Sequence, residues 1–223
     1  MKIAVTHSSD TKQKVLEAAC KVFSEVGYHE GTVARICEEA GANGAAVNYH
    51  FGDKQNLYRE VWNYTHRLAH EAYPLRSTRE GASPEEGLRA FIRSLVLQAF
   101  DAGPAGQFAR IIAFEIADPM EFLNEERMRV REDLFDLFEG IARDLVGSAV
   151  SRDDLVLCRI MVLTPSLGIG MRRFGCHAKR VPHAMFEFDP EEMVERMFRF
   201  ALAGIEDLRS SIRRRDAAGE GGA

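Results

Sequence analysis

One pattern repeats along almost the whole chain: apolar side chains return every three or four residues. Between Asp10 and Val26 they fall at Val15, Leu16, Ala18, Ala19, Val22, Phe23 and Val26, with Lys12, Glu17, Lys21 and Glu25 between them. That spacing wraps an apolar stripe along one side of an α-helix. No alternating Val/Ile/Thr run occurs, and no Asn-Gly or Asp-Gly hairpin between such runs. The sequence therefore predicts an all-α fold.

Punctuation residues divide the helices. Asp10 or Thr11 can cap the first, and Gly27 can end it in a left-handed conformation. Val33–Ala40 and Gly44–His50 read as two short helices around Gly41-Ala42-Asn43, and Asp53 caps a longer helix that fades near Pro74. The polar stretch Arg76–Pro84 reads as a boundary loop, and Ser83-Pro84-Glu85-Glu86 as a helix start with Pro at its first position. Gly103-Pro104 and Asp118-Pro119 punctuate two further helices. Long helices are expected at about Met120–Val146 and Ser151–Phe174, then a Gly-, Pro- and His-bearing loop, Gly175–Phe188. Asp189-Pro190 opens a last helix to about Arg214. The expected organisation is a three-helix head over 1–75, a larger helical body over 76–215, and a disordered tail over 216–223.

Composition narrows the class. At 223 residues, 46% apolar and 28% charged, the chain is an ordinary globular one, long enough to bury a core. A net charge of −5 excludes bulk polybasic binding, so any nucleic-acid contact must be local. Ile3-Ala4-Val5 is too short for a secretory signal, and no apolar run reaches the roughly 18 residues of a membrane span. Cys20, Cys37, Cys158 and Cys176 show no paired spacing, which points to packing in a reduced cytoplasm.

The informative stretch is Thr32–Lys54, TVARICEEAGANGAAVNYHFGDK. Thr32 can cap a helix whose inward face is Val33, Ile36, Cys37 and Ala40. Gly41 permits a sharp turn, Asn43 caps a second helix, and Val47 and Phe51 face inward. Two short helices around a three-residue Gly-bearing turn form a helix-turn-helix, whose second helix enters the major groove. Small Gly44, Ala45 and Ala46 allow close approach to base edges, and alanine methyls suit thymine methyls. Asn48 is the best polar base reader. Thr32, Tyr49, His50 and Lys54 suit phosphate, and Arg35 suits either backbone or base. Tyr49 and His50 also fit a plain packing role.

The run GYHEGTVARICEEAGANGAAVNYHFGDKQNLYREVW resembles the DNA-binding domain of TetR-family transcriptional regulators over about residues 10–62. Gly27-Tyr28, Thr32, Ile36, Ala40-Gly41, Val47, Tyr49-His50-Phe51, Lys54 and Leu57 carry the resemblance. It implies that Thr32, Val33, Ala34 and Arg35 lie near phosphate. It puts Gly44, Ala45, Ala46, Asn48, Tyr49 and His50 on the recognition helix, with Lys54 gripping phosphate at the next helix start. Residues 1–73 carry eight Lys/Arg and nine Asp/Glu, so the head is slightly acidic. Acidic groups must then lie on its far face, and a dimer engaging two half-sites is favoured over a monomer. Phe108–Val146 resembles the ligand and dimerisation domain of the CecR-like branch. The implied function is a ligand-responsive, homodimeric repressor of a palindromic operator.

Within the body, Phe91, Leu95, Phe108, Ile112, Phe114, Glu115, Phe138 and Met171 are candidates for an effector pocket, with simple core packing as the competing assignment. Glu115 either lines that pocket or faces solvent. Leu155, Cys158, Met161, Val162, Met193, Met197 and Phe200 form apolar faces suited to the core or to a dimer interface. Cys176, His177 and His183 form a cluster resembling metal ligands, and ordinary loop roles are favoured. No catalytic motif or phosphate-cradling loop is found. No cofactor and no enzymatic activity are expected. The alternative function is an all-helical small-molecule binder without specific DNA binding.

Overall fold

The structure is a computed structural model that describes residues 3–77, 79–147, 149–174 and 188–220. Its described elements are helical: α1 Ile3–Glu30, α2 Val33–Ala40, α3 Gly44–Phe51, α4 Lys54–Ala72, α5 Pro84–Phe100, α6 Gln107–Ala117, α7 Asn124–Val146, α8 Arg152–Phe174 and α9 Pro190–Glu220. Short 3₁₀ turns precede α6 and α7. No described helix is long and apolar enough to cross a membrane.

Most of the caps read from sequence form as hydrogen bonds, while Asp10 and Thr11 lie inside α1 and not at its start. Thr32 Oγ1 accepts from Arg35 N at 3.2 Å, Asn43 Oδ1 from Ala46 N at 3.2 Å, and Asp53 Oδ1 from Asn56 N at 2.7 Å. Ser83 and Glu86 form a reciprocal capping box, and Asp189 caps α9. Boundaries differ where helix-compatible residues continue beyond the expected stops. α1 begins at Ile3, before Asp10. α9 runs to Glu220, past Arg214 and into the expected tail, through residues that include Ala217 and Ala218. Residues 221–223 lie outside the described part.

Gly27 lies within α1, whose helical run continues to Glu30 beyond a kink. Its backbone sits at φ 74° and ψ −177°, a region open essentially to glycine alone. A Cβ there would also lie 2.9 Å from the Phe114 ring. Two separate constraints thus select glycine.

The chain divides into two compact units that do not follow chain order. The first takes in the chain through Ala72 and the segment Gln98–Asn124, with a further stretch beginning at Gly170. α6 therefore belongs with the helix-turn-helix and not with the rest of the body. Phe23, Ile36, Val47, Leu57, Tyr58, Val61, Trp62 and Ile111 are among its buried side chains. Tyr58 meets Phe23 edge-on at 4.9 Å and Tyr28 at 5.1 Å, and Tyr28 lies 5.0 Å from Phe122. Among these rings Glu115 is buried, 4% exposed. Its carboxylate accepts from Tyr58 Oη at 2.9 Å and from Met120 N at 3.0 Å.

The second unit takes in Tyr73–Leu97 and Glu125–Ile169, together with α9. Leu88, Phe91, Ile92, Phe138, Leu155, Val194 and Phe198 fill its interior. Arg89 stacks over Phe198 and pairs with Glu195. Arg159 stacks over Phe135 and pairs with Glu139 at 3.0 Å.

Two stability predictions follow from the first unit. Gly27→Ala is expected to destabilise the protein by about 1–3 kcal/mol through its backbone alone, with a further cost from the Phe114 contact. Urea unfolding would show a lower midpoint at unchanged slope, and adding Phe114→Leu should restore only the second part. Tyr58→Phe removes a donor from a buried carboxylate and is expected to cost about 1–3 kcal/mol in the same assay.

Candidate nucleic-acid interface

α2 and α3 are each eight residues long, too short to persist alone, and packing and caps hold them. Ile36 and Cys37 bury the inner face of α2, and Val47 and Phe51 that of α3. Gly41 closes α2 at φ 61° and ψ 32°, its N–H shared between the carbonyls of Cys37 and Glu38. This fixes the outward set on α3. Gly44, Ala45, Asn48 and Tyr49 are exposed, and Ala46 and His50 half-buried. Tyr49 is 79% exposed and meets the His50 ring edge-on at 4.8 Å. On α2 and its cap, Thr32, Ala34 and Arg35 are exposed and Val33 is half-buried. All eleven residues singled out for DNA lie in the first compact unit.

The two cations among them are engaged within the protein. Lys54 Nζ sits 4.3 Å over the Tyr28 ring and donates to the His29 carbonyl at 3.5 Å. Partial burial there holds its ammonium below the ordinary lysine range. Tyr28 is shifted the other way, by its own burial first and then by the Asp53 charge. Arg35 Nη2 donates to Glu25 Oε2 at 2.6 Å, and Lys21 pairs with Glu39 at 2.6 Å. Sequence reading missed Glu25 because Arg35 lies ten residues away, across the Gly27 kink. Tyr28 carried a signal only through the Gly27-Tyr28 pair.

The expected effector residues divide between the units. Phe91, Leu95 and Phe138 lie in the second, with Phe91 and Phe138 packed ring to ring at 5.6 Å. Phe108, Ile112, Phe114 and Glu115 lie in the first, Phe108 being buried against Trp62 at 5.0 Å and His66 at 4.9 Å. Of the two positions open to Glu115, solvent is excluded, and its carboxylate bonds to Tyr58 and Met120. Met171 is within α8, its side chain outside what the structure describes.

Among the expected interface residues, Leu155, Cys158 and Val162 are buried, while Met193 and Met197 are half-buried. Met161 and Phe200 are 65% and 78% exposed. Leu157 and Ile160, on α8 with Met161, are also exposed. An open groove of about 210 Å³ is lined by Ile92, Met161, Val162, Pro165, Arg196, Met197, Phe200 and Ala201. Cys20, Cys37 and Cys158 are buried and unpaired, and burial pushes the Cys20 thiol far up. Cys176, His177 and His183 lie outside the described residues. Among those described, no group of three or more His, Cys, Asp or Glu is placed to hold a metal.

Comparison with known proteins agrees with this geometry. The family model of bacterial regulatory proteins of the tetR family matches residues 15–61, and that of the C-terminal domain of the HTH-type transcriptional dual regulator CecR matches residues 84–205. The HTH-type transcriptional repressor AcnR of Corynebacterium glutamicum is 42% identical over 50 residues, 22% of this chain and 27% of AcnR. The chain spans 27% to 53% of the length of the first curated relatives it matches. A TetR-like transcriptional regulator from Rhodococcus superposes with a TM-score of 0.66 at 18% identity, over 88% of this chain and 96% of that one. FadR of Bacillus subtilis, solved in complex with stearoyl-CoA, superposes with a TM-score of 0.58 at 17% identity, over 86% and 98%. At these identities the likeness shows the fold. The helix-turn-helix and the helical body are each matched by a model of their own, the second alone covering more than half of the chain, and the protein belongs to the TetR family of bacterial regulatory proteins, with a CecR-type C-terminal domain.

Proposed function

We propose that the protein is a ligand-responsive transcriptional repressor that binds operator DNA as a homodimer and performs no catalytic step. The observation that carries this reading is the outer face of α3. Gly44, Ala45, Asn48 and Tyr49 are presented to solvent on a capped helix whose opposite side is anchored by Val47 and Phe51. Small residues at the helix start let the backbone approach base edges, Asn48 reads a base, and Tyr49 and His50 bind phosphate. Thr32 to Arg35 and Lys54 complete the phosphate contacts. AcnR, a relative matched over 50 residues, is named a repressor, which supports that sign of regulation.

The effector is a small molecule bound in the body, and the protein acts in the cytoplasm. Two heads must meet successive major grooves, so a dimer conformation with its recognition helices about 34–36 Å apart, or a multiple, is the binding one. The effector lowers affinity by favouring a dimer with a different separation. The apolar outer face of α8 and α9, with Met161 and Phe200, is where the second copy docks.

Selection of retained fragments from random DNA should return a palindromic site, and no enrichment would refute DNA binding. On that site, fluorescence anisotropy should show Tyr49→Ala weakening binding roughly threefold to tenfold per head, the scale of one lost hydrogen bond. Lys54→Ala should weaken it broadly and reduce the salt slope by about one per head. Phe200→Glu with Met161→Glu should yield monomers in sedimentation velocity and lose operator binding, while retaining helical circular dichroism.

A further inference from the structure

Arg35 is the single Lys or Arg of α2, and α3 has none. With Lys54 it makes up the whole lysine and arginine complement of the proposed DNA-contacting set. Its guanidinium is nonetheless held at one end by Glu25, a residue of α1, at 2.6 Å. Lys21 and Glu39 complete a seam of alternating charge between α1 and α2. Glu39 holds the Lys21 ammonium above its ordinary range, Glu25 adds to that and Arg35 opposes it, so the four groups share one field. Both Glu25 and Arg35 are about half exposed, within reach of an incoming anion.

Resting on the DNA-binding reading, we infer that Glu25 is an internal competitor for DNA: its carboxylate occupies Arg35 in the free protein and withholds that cation from the duplex, so the head binds more weakly than its cations alone would allow. Non-specific binding comes almost wholly from cations meeting phosphates and releasing counterions. On a non-cognate duplex, Arg35 would exchange one anion, Glu25, for another, and little is gained. At the cognate site, contacts along α3 dock the head fully, and a fixed phosphate or base edge then displaces Glu25. Displacing Glu25 costs the free energy of the pair wherever Arg35 engages DNA, so the internal competitor lowers affinity for the cognate site at least as much as for other sequences and sets the strength of the head, not its ratio of affinities.

The test uses the full-length protein, a fluorescein-labelled 30-base-pair duplex of random sequence, and the site returned by the selection above. Glu25→Gln should tighten random-duplex binding about eightfold per head near 0.1 M monovalent salt and steepen the salt slope by about 0.9, as one added phosphate contact does. Affinity for the selected site should rise at least as much, because there the pair with Glu25 is broken in the wild-type protein. Two controls separate release of Arg35 from loss of a negative charge. Glu38→Gln removes an exposed acid of α2 that makes no hydrogen bond to Arg35, and should have less than a third of the effect. In an Arg35→Gln background, Glu25→Gln should change random-duplex binding less than twofold. Unchanged affinity and slope in Glu25→Gln overturn the inference, as does an equal effect of Glu38→Gln or an undiminished gain without Arg35. If the wild-type chain retains no DNA even at low salt, the functional reading itself falls and this inference with it, a result that is separately recognisable.

Discussion

A carboxylate sealed among aromatic rings organises the first compact unit. Glu115 is buried between Tyr58 of α4 and the turn at Met120, and it accepts a hydrogen bond from each. A carboxylate without such donors would be costly at this depth. The surrounding parts are fixed by the same requirement. Phe114 lies against Gly27, Phe122 against Tyr28, and Arg59 donates to the Phe122 carbonyl at 2.8 Å. The helix-turn-helix is therefore continuous in its packing with α6 and the turn after it. A change in the position of α6 reaches α1 and α4 through rings and hydrogen bonds with little room to yield.

The same knot sets the electrostatics of the head. Tyr28, placed by the Gly27 kink, offers its ring face to Lys54, and Glu25 of the preceding turn takes Arg35. Net charge counted along the chain misses this. Nearly equal numbers of acids and bases in residues 1–73 do not mean that acids crowd the far side of the head. Some of them sit beside the cations that the proposed function needs. DNA must then outcompete an internal anion and an internal ring, which ties affinity to the quality of the remaining fit along α3.

Local chemistry was legible in the sequence and long-range pairing was not. Thr32, Asn43, Asp53, Ser83 and Asp189 each bond an amide three residues on, so a short window suffices to read them. Val47 and Phe51 point inward because they stand four apart on one helix. Tyr58 and Glu115 are 57 residues apart, and no periodicity announces their bond. Periodicity names which side of a helix is buried without naming its neighbour. For that reason the aromatic residues grouped as one pocket fall in two compact units, and periodicity does not announce that Gln98–Asn124 packs in one unit with the chain through Ala72. Gly27 was legible as a break of positive φ, but the left-handed helix end expected there is a kink, and the helical run goes on to Glu30. Its ψ of −177° and the ring beside it required the partner helix.

The outer face of α8 and α9 poses the complementary problem. Leu157, Ile160 and Met161 on α8 and Phe200 on α9 are large apolar side chains left exposed, and Met161 and Phe200 line one groove. Pro165 lies within α8 and has no N–H to give the carbonyl of residue 161, one turn earlier. It also lines the groove beside these residues. A rotationally symmetric partner presents the same protrusions and the same groove, so each copy can fill what the other leaves open. Pairing of this kind adds the phosphate contacts of a second head. A head with two engaged cations gains most from that doubling, because binding free energies of two linked heads add while each alone remains weak.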